Sequence, residues 1–170
     1  MHISSLPGKY GIGSFGQAAY DFVDFLVRTK QRYWQILPLG TTSYGDSPYQ
    51  SFAACAGNTH FIDFELLIEQ GLLIEAYLKG VDFGQDPTQV YYAKVFEQRR
   101  PLLEKAVANF LKSSDQKEFQ AFCEANASWL ELFAEYMAIK EHFDLKAWTE
   151  WPDATIRGRQ PEALAHYREA

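Results

Sequence analysis

The first third of the chain combines short apolar segments with one helical pattern. Residues 3–6 form an apolar stretch that Pro7 and Gly8 end, as the last residues of a strand would. A Ser14–Gln17 capping box followed by apolar residues at helical spacing predicts a helix over about 15–30. Residues 33–37 form a compact apolar run before Pro38, typical of a parallel strand covered on both faces. This order of strand, helix and strand predicts a βαβ beginning.

From about residue 65 the patterns are helical only. A short helix is predicted before Gly71, and a long amphipathic helix over 88–111 that Pro101 should kink or divide. Two further helices follow, one capped near Ser113 and one opened by Ser128, then a loop over 148–161 and a last helix from near Glu162. The sequence predicts a helical subdomain attached to a βα beginning. Because one βα unit and one strand leave open sheet edges, the chain looks like a fragment.

Composition and charge narrow the class of protein. Hydrophobic residues make up 47% and charged residues 22%, as in ordinary soluble domains. The net charge of −6 is concentrated in residues 61–170, and no basic stripe is available to neutralise phosphates. Cys55 and Cys123 are the only cysteines, and no apolar run has the length of a membrane span. We therefore expect a reduced, cytoplasmic protein without a nucleic-acid or membrane partner.

Two features of the sequence could indicate a cofactor or a metal site, a glycine-rich motif and the histidines. Gly11 to Gly16 matches G-x-G-x-x-G, but residues 6–10 separate it from the predicted strand and no acid ends the second strand. A loop that glycine permits is therefore favoured over a dinucleotide site. The four histidines show no paired spacing of metal ligands, so no metal site is predicted.

The segment from Tyr44 to Ser51 carries the most chemistry. It places two phenol rings, an acid, two hydroxyls and an amide around Gly45 and Pro48, which favour a rigid loop. Tyr44 and Tyr49 could stack on the apolar face of a sugar or pack the loop itself, and chemistry alone leaves both open. Asp46 has no second acid placed to form a glycosidase pair, so it is interpreted as a hydrogen-bonding group for the loop or for a sugar hydroxyl.

Several ordered blocks of this sequence resemble a known family. They are His2-Ile3-Ser4-Ser5-Leu6-Pro7-Gly8, Tyr10-Gly11-Ile12-Gly13, Tyr33 to Gly40, Tyr44 to Ser51 and Ala56-Gly57-Asn58. Together they resemble the N-terminal part of 4-α-glucanotransferases, also called amylomaltases or disproportionating enzymes. The resemblance is specific over about residues 2–75 and weaker beyond.

The resemblance implies the N-terminal part of an α/β (β/α)8 TIM barrel with a mainly α-helical inserted subdomain. Residues 1–64 would form the first βαβ part with a substrate loop at 40–58, residues 65–155 the helical insertion, and residues 156–170 the start of a helix leading back to the barrel. It also implies transfer of α-1,4-glucan segments between maltooligosaccharides through a covalent intermediate, without a cofactor. The partners implied are α-1,4-glucans and the remaining barrel of the full-length enzyme.

The resemblance also implies roles for individual residues. Ser47 and Tyr49 would contact the donor glucan, with Asp46 and His2 close by. Tyr44 resembles an aromatic of a secondary glucan-binding groove, and Phe96 lies where a tyrosine partner is expected. Thr59 and Tyr91 also depart from the pattern, which has a proline and an acid there. The family's catalytic acids correspond to no residue of this chain, so the isolated chain is predicted to be inactive.

Two other functions stay open at this level. The chain could be an inactive remnant that still binds glucans, or a helical interaction protein whose barrel motifs are relics.

Overall fold

The computed structural model describes residues 1–42, 45–113 and 115–169. It divides the chain into two compact units, Met1–Gln116 and Lys117–Ala170. The domain boundaries expected after residues 64 and 155 refer to a complete barrel, and they stay predictions.

The described residues are mainly helical. These residues form seven α-helices in chain order: α1 Gln17–Arg28, α2 Phe64–Glu69, α3 Tyr92–Phe110, α4 Lys117–Asn126, α5 Leu130–His142, α6 Ala154–Arg157 and α7 Pro161–Glu169. Short 3₁₀ turns lie at Ile3–Ser5, Thr59–Phe61, Glu75–Tyr77 and Trp148–Glu150. None of the helices described is long and apolar enough to cross a membrane.

The two predicted strands are wrong for this structure. Residues 3–5 form a 3₁₀ turn in which Leu6 N–H bonds the Ile3 carbonyl at 3.0 Å. Residues 33–37 lie outside any helix or strand, and Tyr33 is 91% exposed. A buried parallel strand needs paired neighbours and cover on both faces. No other strand exists among the residues described, so only the helical part of the predicted α/β class is seen.

Helix α1 confirms the helix predicted over 15–30, although its cap differs. Gly16 occupies the N-cap position without a side-chain hydrogen bond. The Ser14 hydroxyl instead donates to a carboxylate oxygen of Asp63, 2.5 Å away. The local capping box is therefore replaced by a contact with a residue 49 positions later in the chain.

Helix α3 runs through Pro101 as one element of 19 residues, so Pro101 does not divide it. Proline removes one helical hydrogen bond, which destabilises the interior of a helix. The buried face of α3 offsets this cost, since Val95, Leu102 and Ala106 are all at most 5% exposed.

The loop predicted over 148–161 is partly helical. Asp153 caps α6 by accepting a hydrogen bond from Thr155 N–H at 2.8 Å. Helix α5 begins after Trp129 rather than at the predicted Ser128 cap.

Each unit has its own apolar core. The first unit contains two clusters, whose buried members are Ile3, Leu6, Ile12, Ala19, Phe61 and Val95 in one and Phe64, Leu73, Phe83, Leu102 and Ala106 in the other. The second unit is centred on Ile139, Trp151 and Ile156.

Candidate functional site

The predicted substrate loop at 40–58 is closed at its base by backbone pairing. Gly40 and Gly57 form an antiparallel bridge. Asn58 N–H donates to the Leu39 carbonyl at 2.9 Å, and Thr41 N–H donates to the Ala56 carbonyl at 3.3 Å. Ala56 is buried beside this bridge. The loop is therefore held at both ends by the first unit and projects its central residues outward.

The centre of the loop has a tightly turned backbone. Gly45 and Asp46 both adopt positive φ, at 82° and 54°. Asparagine and aspartate are among the few non-glycine types that tolerate this region. Gln50 N–H donates to the Ser47 carbonyl at 3.1 Å, and Tyr49 N–H donates to the Ser47 hydroxyl at 3.4 Å. Ser47 therefore shapes the turn that presents Tyr49.

The side chains at this turn differ in exposure. Tyr49 is 73% exposed, so its side chain is accessible to a ligand. Asp46 and Ser47 are half-buried. Burial raises the pKa of the Asp46 carboxyl. Tyr44, predicted for the secondary groove, lies outside the described residues.

The base of the loop continues into the 3₁₀ turn Thr59–Phe61. The Asn58 side chain caps this turn by accepting a hydrogen bond from His60 N–H at 2.9 Å. The Phe61 ring packs edge-on against the His2 ring, with centroids 5.4 Å apart. Trp34 anchors the same region because its indole N–H donates to the Met1 carbonyl at 2.7 Å. His2 is thus packed against the core cluster that contains Phe61.

The surroundings of His2 favour its neutral imidazole. Burial lowers its pKa, and the positive N-terminus lowers it further. Its Nδ1 atom is buried without a hydrogen-bond partner among the described residues. A neutral imidazole can both donate and accept a hydrogen bond, as contact with a sugar hydroxyl requires.

Phe96 lies on the exposed side of α3, next to His60. Their ring centroids are 6.1 Å apart, and Phe96 is 44% exposed. Burial lowers the pKa of His60 to about 4, and the charge of Arg99 acts in the same direction. His60 is therefore uncharged at neutral pH, and its ring packs edge-on against the Phe96 ring.

Arg99 links α3 to the segments around Tyr10 and Ile62. Its guanidinium donates to the carbonyls of Tyr10, at 3.1 Å, and Ile62. It also lies 4.0 Å from the centroid of the Phe64 ring. Burial lowers the pKa of Arg99 to about 10, which leaves it charged at neutral pH. This arginine positions the segment from His60 to Phe64.

The glycine-rich segment has a packing role here. A Cβ atom on Gly13 would lie 2.0 Å from the Ile3 carbonyl oxygen, and one on Gly16 would lie 2.0 Å from the Asp63 carboxylate. The backbone of this segment packs directly against the Ile3 carbonyl and the Asp63 side chain. This favours the glycine-permitted loop over the dinucleotide site.

The structure brings His2 and Phe96 to neighbouring residues of the Thr59–Phe61 turn, because His2 packs against Phe61 and Phe96 packs against His60. No hydrogen bond or ring contact among the described residues joins Ser47 or Tyr49 to His2 or Phe96. Sequence reasoning missed Arg99 and His60; the spacing of Val95, Arg99, Leu102 and Ala106 along one helical face was the available signal for Arg99.

The comparisons with known proteins bear on this arrangement. The family model described as 4-alpha-glucanotransferase matches residues 1–170. The chain belongs to the 4-alpha-glucanotransferase family. This membership confirms the resemblance found in the sequence.

Curated relatives in this family share much of the sequence. The 4-alpha-glucanotransferase of Streptococcus pneumoniae serotype 4 is 72% identical over 169 residues, covering 99% of this chain and 34% of the relative. The 4-alpha-glucanotransferase of Clostridium butyricum is 46% identical over 169 residues, with the same two coverages. The chain therefore spans about a third of the length of the curated relatives it matches.

A solved structure agrees in fold. The amylomaltase from Streptococcus agalactiae, in complex with acarbose, matches 99% of this chain with a TM-score of 0.94 and 58% sequence identity. The match covers 34% of the amylomaltase chain. The helices and loops described above therefore follow the fold of that part of an amylomaltase.

Proposed function

We propose that this chain is the N-terminal segment of an enzyme that transfers α-1,4-glucan segments between maltooligosaccharides. The observation that carries the proposal is the match of the 4-alpha-glucanotransferase family over the whole of residues 1–170. In the proposed enzyme the segment is the first part of a (β/α)8 TIM barrel. Both cysteines are free thiols, which fits the reducing cytoplasm.

The proposed role of the loop at 40–58 is to bind the donor glucan. Barrel enzymes place their sites on the loops that follow the strands. Tyr49 would stack its exposed ring on the apolar face of a glucose unit. Ser47 and Asp46 would bond sugar hydroxyls, and the neutral imidazole of His2 would add a hydrogen bond near the core.

The proposed secondary glucan-binding groove uses Tyr44 and Phe96. Phe96 supports this because its ring is exposed and is backed by His60. A phenylalanine provides stacking area without the hydroxyl of a tyrosine. We therefore expect a weaker groove than one formed by two tyrosines.

The proposed chemistry needs groups beyond these contacts. Retaining glycosyl transfer uses a carboxylate nucleophile and a carboxylic acid/base about 5–5.5 Å apart. The resemblance assigns neither group to a residue of this chain. Asp46 remains a binding and loop-supporting residue, and the isolated chain is proposed to bind glucans without cleaving them.

A titration of the 170-residue chain with maltohexaose, followed at the backbone amide signals of residues 45–51, tests the binding role of the loop. Tyr49→Ala should weaken the binding at least about tenfold, which corresponds to about 1.4 kcal/mol. The matched control is Tyr33→Ala, because Tyr33 is also an exposed tyrosine but lies outside the loop. Equal affinities for the two variants would refute the role of Tyr49.

An activity assay tests the second part of the proposal. Purified residues 1–170 incubated with maltotriose should release no glucose and form no longer maltooligosaccharides. Either product above the protein-free control would show that the chain carries catalytic groups of its own.

A further inference from the structure

The second unit contains a cavity to which neither the family match nor the sequence motifs assign a role. It encloses about 270 Å³ among α5, the turn Trp148–Glu150, α6 and α7. Small-ligand pockets span roughly 300–1,000 Å³, so this cavity is sized for part of an oligosaccharide. Its apolar lining includes Leu132, Ile139, Ile156 and Leu164.

One wall of the cavity is a fixed aromatic surface. Trp151 is only 4% exposed, and its ring stacks on Phe143 with centroids 5.4 Å apart and an angle of 29°. The Tyr136 ring lies 5.9 Å from Trp151 at 33°. The Trp151 indole N–H donates to the Lys146 carbonyl at 3.3 Å. The orientation of this wall is therefore set by the protein before any ligand arrives.

A second aromatic side chain at the cavity is open to solvent. Trp148 lines the cavity and is 51% exposed. It precedes Trp151 in a 3₁₀ turn, where the Trp151 N–H bonds the Trp148 carbonyl at 3.3 Å. The exposed Trp148 indole offers a flat apolar face on which a ring-shaped ligand from solvent can stack. Pyranose rings have such apolar faces, and aromatic side chains bind them by stacking.

The charges at the cavity are already paired within the protein. Glu135 is bonded by Arg168, with an N–O distance of 2.5 Å, and lies 3.9 Å from an Arg159 nitrogen. Arg157 donates to the Trp151 carbonyl at 2.9 Å. Because these charged groups already have partners, a charged ligand would have to displace an ion pair or hydrogen bond of the protein, whereas a neutral ligand would not. The cavity therefore favours a neutral ligand that offers hydroxyl groups to this polar edge.

We propose that this cavity is an accessory carbohydrate site that binds one or two sugar rings of an α-1,4-glucan. The exposed Trp148 ring supplies the stacking surface, the buried Trp151 forms part of the apolar wall, and the Glu135–Arg159 edge bonds the sugar hydroxyls. The choice of an α-1,4-glucan rests on the proposed function.

The four indole N–H signals of the uniformly ¹⁵N-labelled 170-residue chain test the site during titration with maltohexaose. The Trp148 and Trp151 signals should shift together with sugar concentration, whereas Trp129 should keep its position. Trp148→Ala should reduce the apparent affinity reported by Trp151 at least tenfold. Leu132→Trp, which adds a large ring to the lining, should block the shift and serves as a second variant if Trp148→Ala does not fold.

Two controls separate this site from the loop at 40–58. Phe122→Ala removes a ring that is 50% exposed on α4 and does not line the cavity, so Trp151 should respond as in the wild type. Tyr49→Ala should also leave the Trp151 response unchanged, even if the proposed loop site fails. A Trp151 signal that does not respond to maltohexaose would overturn the inference. A response that persists in both Trp148→Ala and Leu132→Trp would overturn it as well.

Discussion

Replacing Arg99 by methionine tests the buried link that positions the site. Arg99 is 1% exposed and donates two hydrogen bonds to carbonyl groups of other segments. Each hydrogen bond from a charged group contributes about 1.5–3 kcal/mol, and the contact with the Phe64 ring contributes about 2 kcal/mol. Burial lowers the pKa of Arg99 to about 10, which corresponds to a burial cost of about 3 kcal/mol that the substitution relieves.

The net expectation for Arg99→Met is a loss of about 3–4 kcal/mol in the free energy of unfolding of the first unit. This agrees with the roughly 3–5 kcal/mol found when one partner is removed from a buried charged network. Urea unfolding, followed at the Trp34 indole signal, measures this loss of stability. Trp34 reports on the first unit because its ring packs on the Phe22 ring, with centroids 4.8 Å apart.

The matched control is the next residue of the same helix. Arg100 lies on the exposed side of α3 and pairs with Glu104 at 2.9 Å. Surface pairs of this kind contribute about 0.3–0.5 kcal/mol, so Arg100→Met should change stability by less than about 1 kcal/mol. If Arg99→Met costs no more than Arg100→Met, the two carbonyl contacts do not hold the site together.

Two further predictions concern the same unit. The His60 imidazole gains a proton near pH 6.5 in the unfolded chain but only near pH 4 in the folded chain. The contribution of neutral His60 to the free energy of unfolding is therefore complete above pH 6.5 and falls by about 3 kcal/mol as the pH drops to 4. His60→Gln should flatten that part of the pH profile in urea unfolding, and an unchanged slope would assign the acid sensitivity to other groups. Gly13→Ala should destabilise the fold by at least about 2 kcal/mol, because the added methyl group meets the Ile3 carbonyl, whereas Gly57→Ala has open space and should cost less than about 1 kcal/mol. Equal thermal midpoints for these two glycine variants would contradict the packing role of the glycine-rich segment.

The sequence predicted those elements whose signals are local. The periodicity of residues 18–26 was sufficient for α1, because an amphipathic helix satisfies its own backbone hydrogen bonds. The apolar run 33–37 resembles a buried strand, but a strand depends on neighbours that local sequence does not specify. The Ser14–Gln17 pattern failed for a related reason, since Asp63 competes for the Ser14 hydroxyl across 49 residues.

In the candidate site, too, local features could be predicted from the sequence and contacts between distant segments could not. The turn residues of the loop at 40–58 indicated its rigidity, and the closing pair of Gly40 and Gly57 agrees with that interpretation. Arg99 was not predicted, because a charged residue on a helix is usually exposed. Its burial depends on two carbonyl groups and an aromatic ring from distant segments, which only the folded chain brings together.

A chimeric enzyme tests whether this chain supplies the substrate-binding segment of a 4-alpha-glucanotransferase. Residues 1–170 would replace the matching third of the Streptococcus pneumoniae 4-alpha-glucanotransferase, which is 72% identical over this stretch. The account predicts that the folded chimera converts maltotriose into glucose and longer maltooligosaccharides, and that Tyr49→Ala lowers this rate at least about tenfold while Tyr33→Ala does not. A folded chimera that leaves maltotriose unchanged would contradict the claim that this chain supplies the substrate-binding segment of such an enzyme.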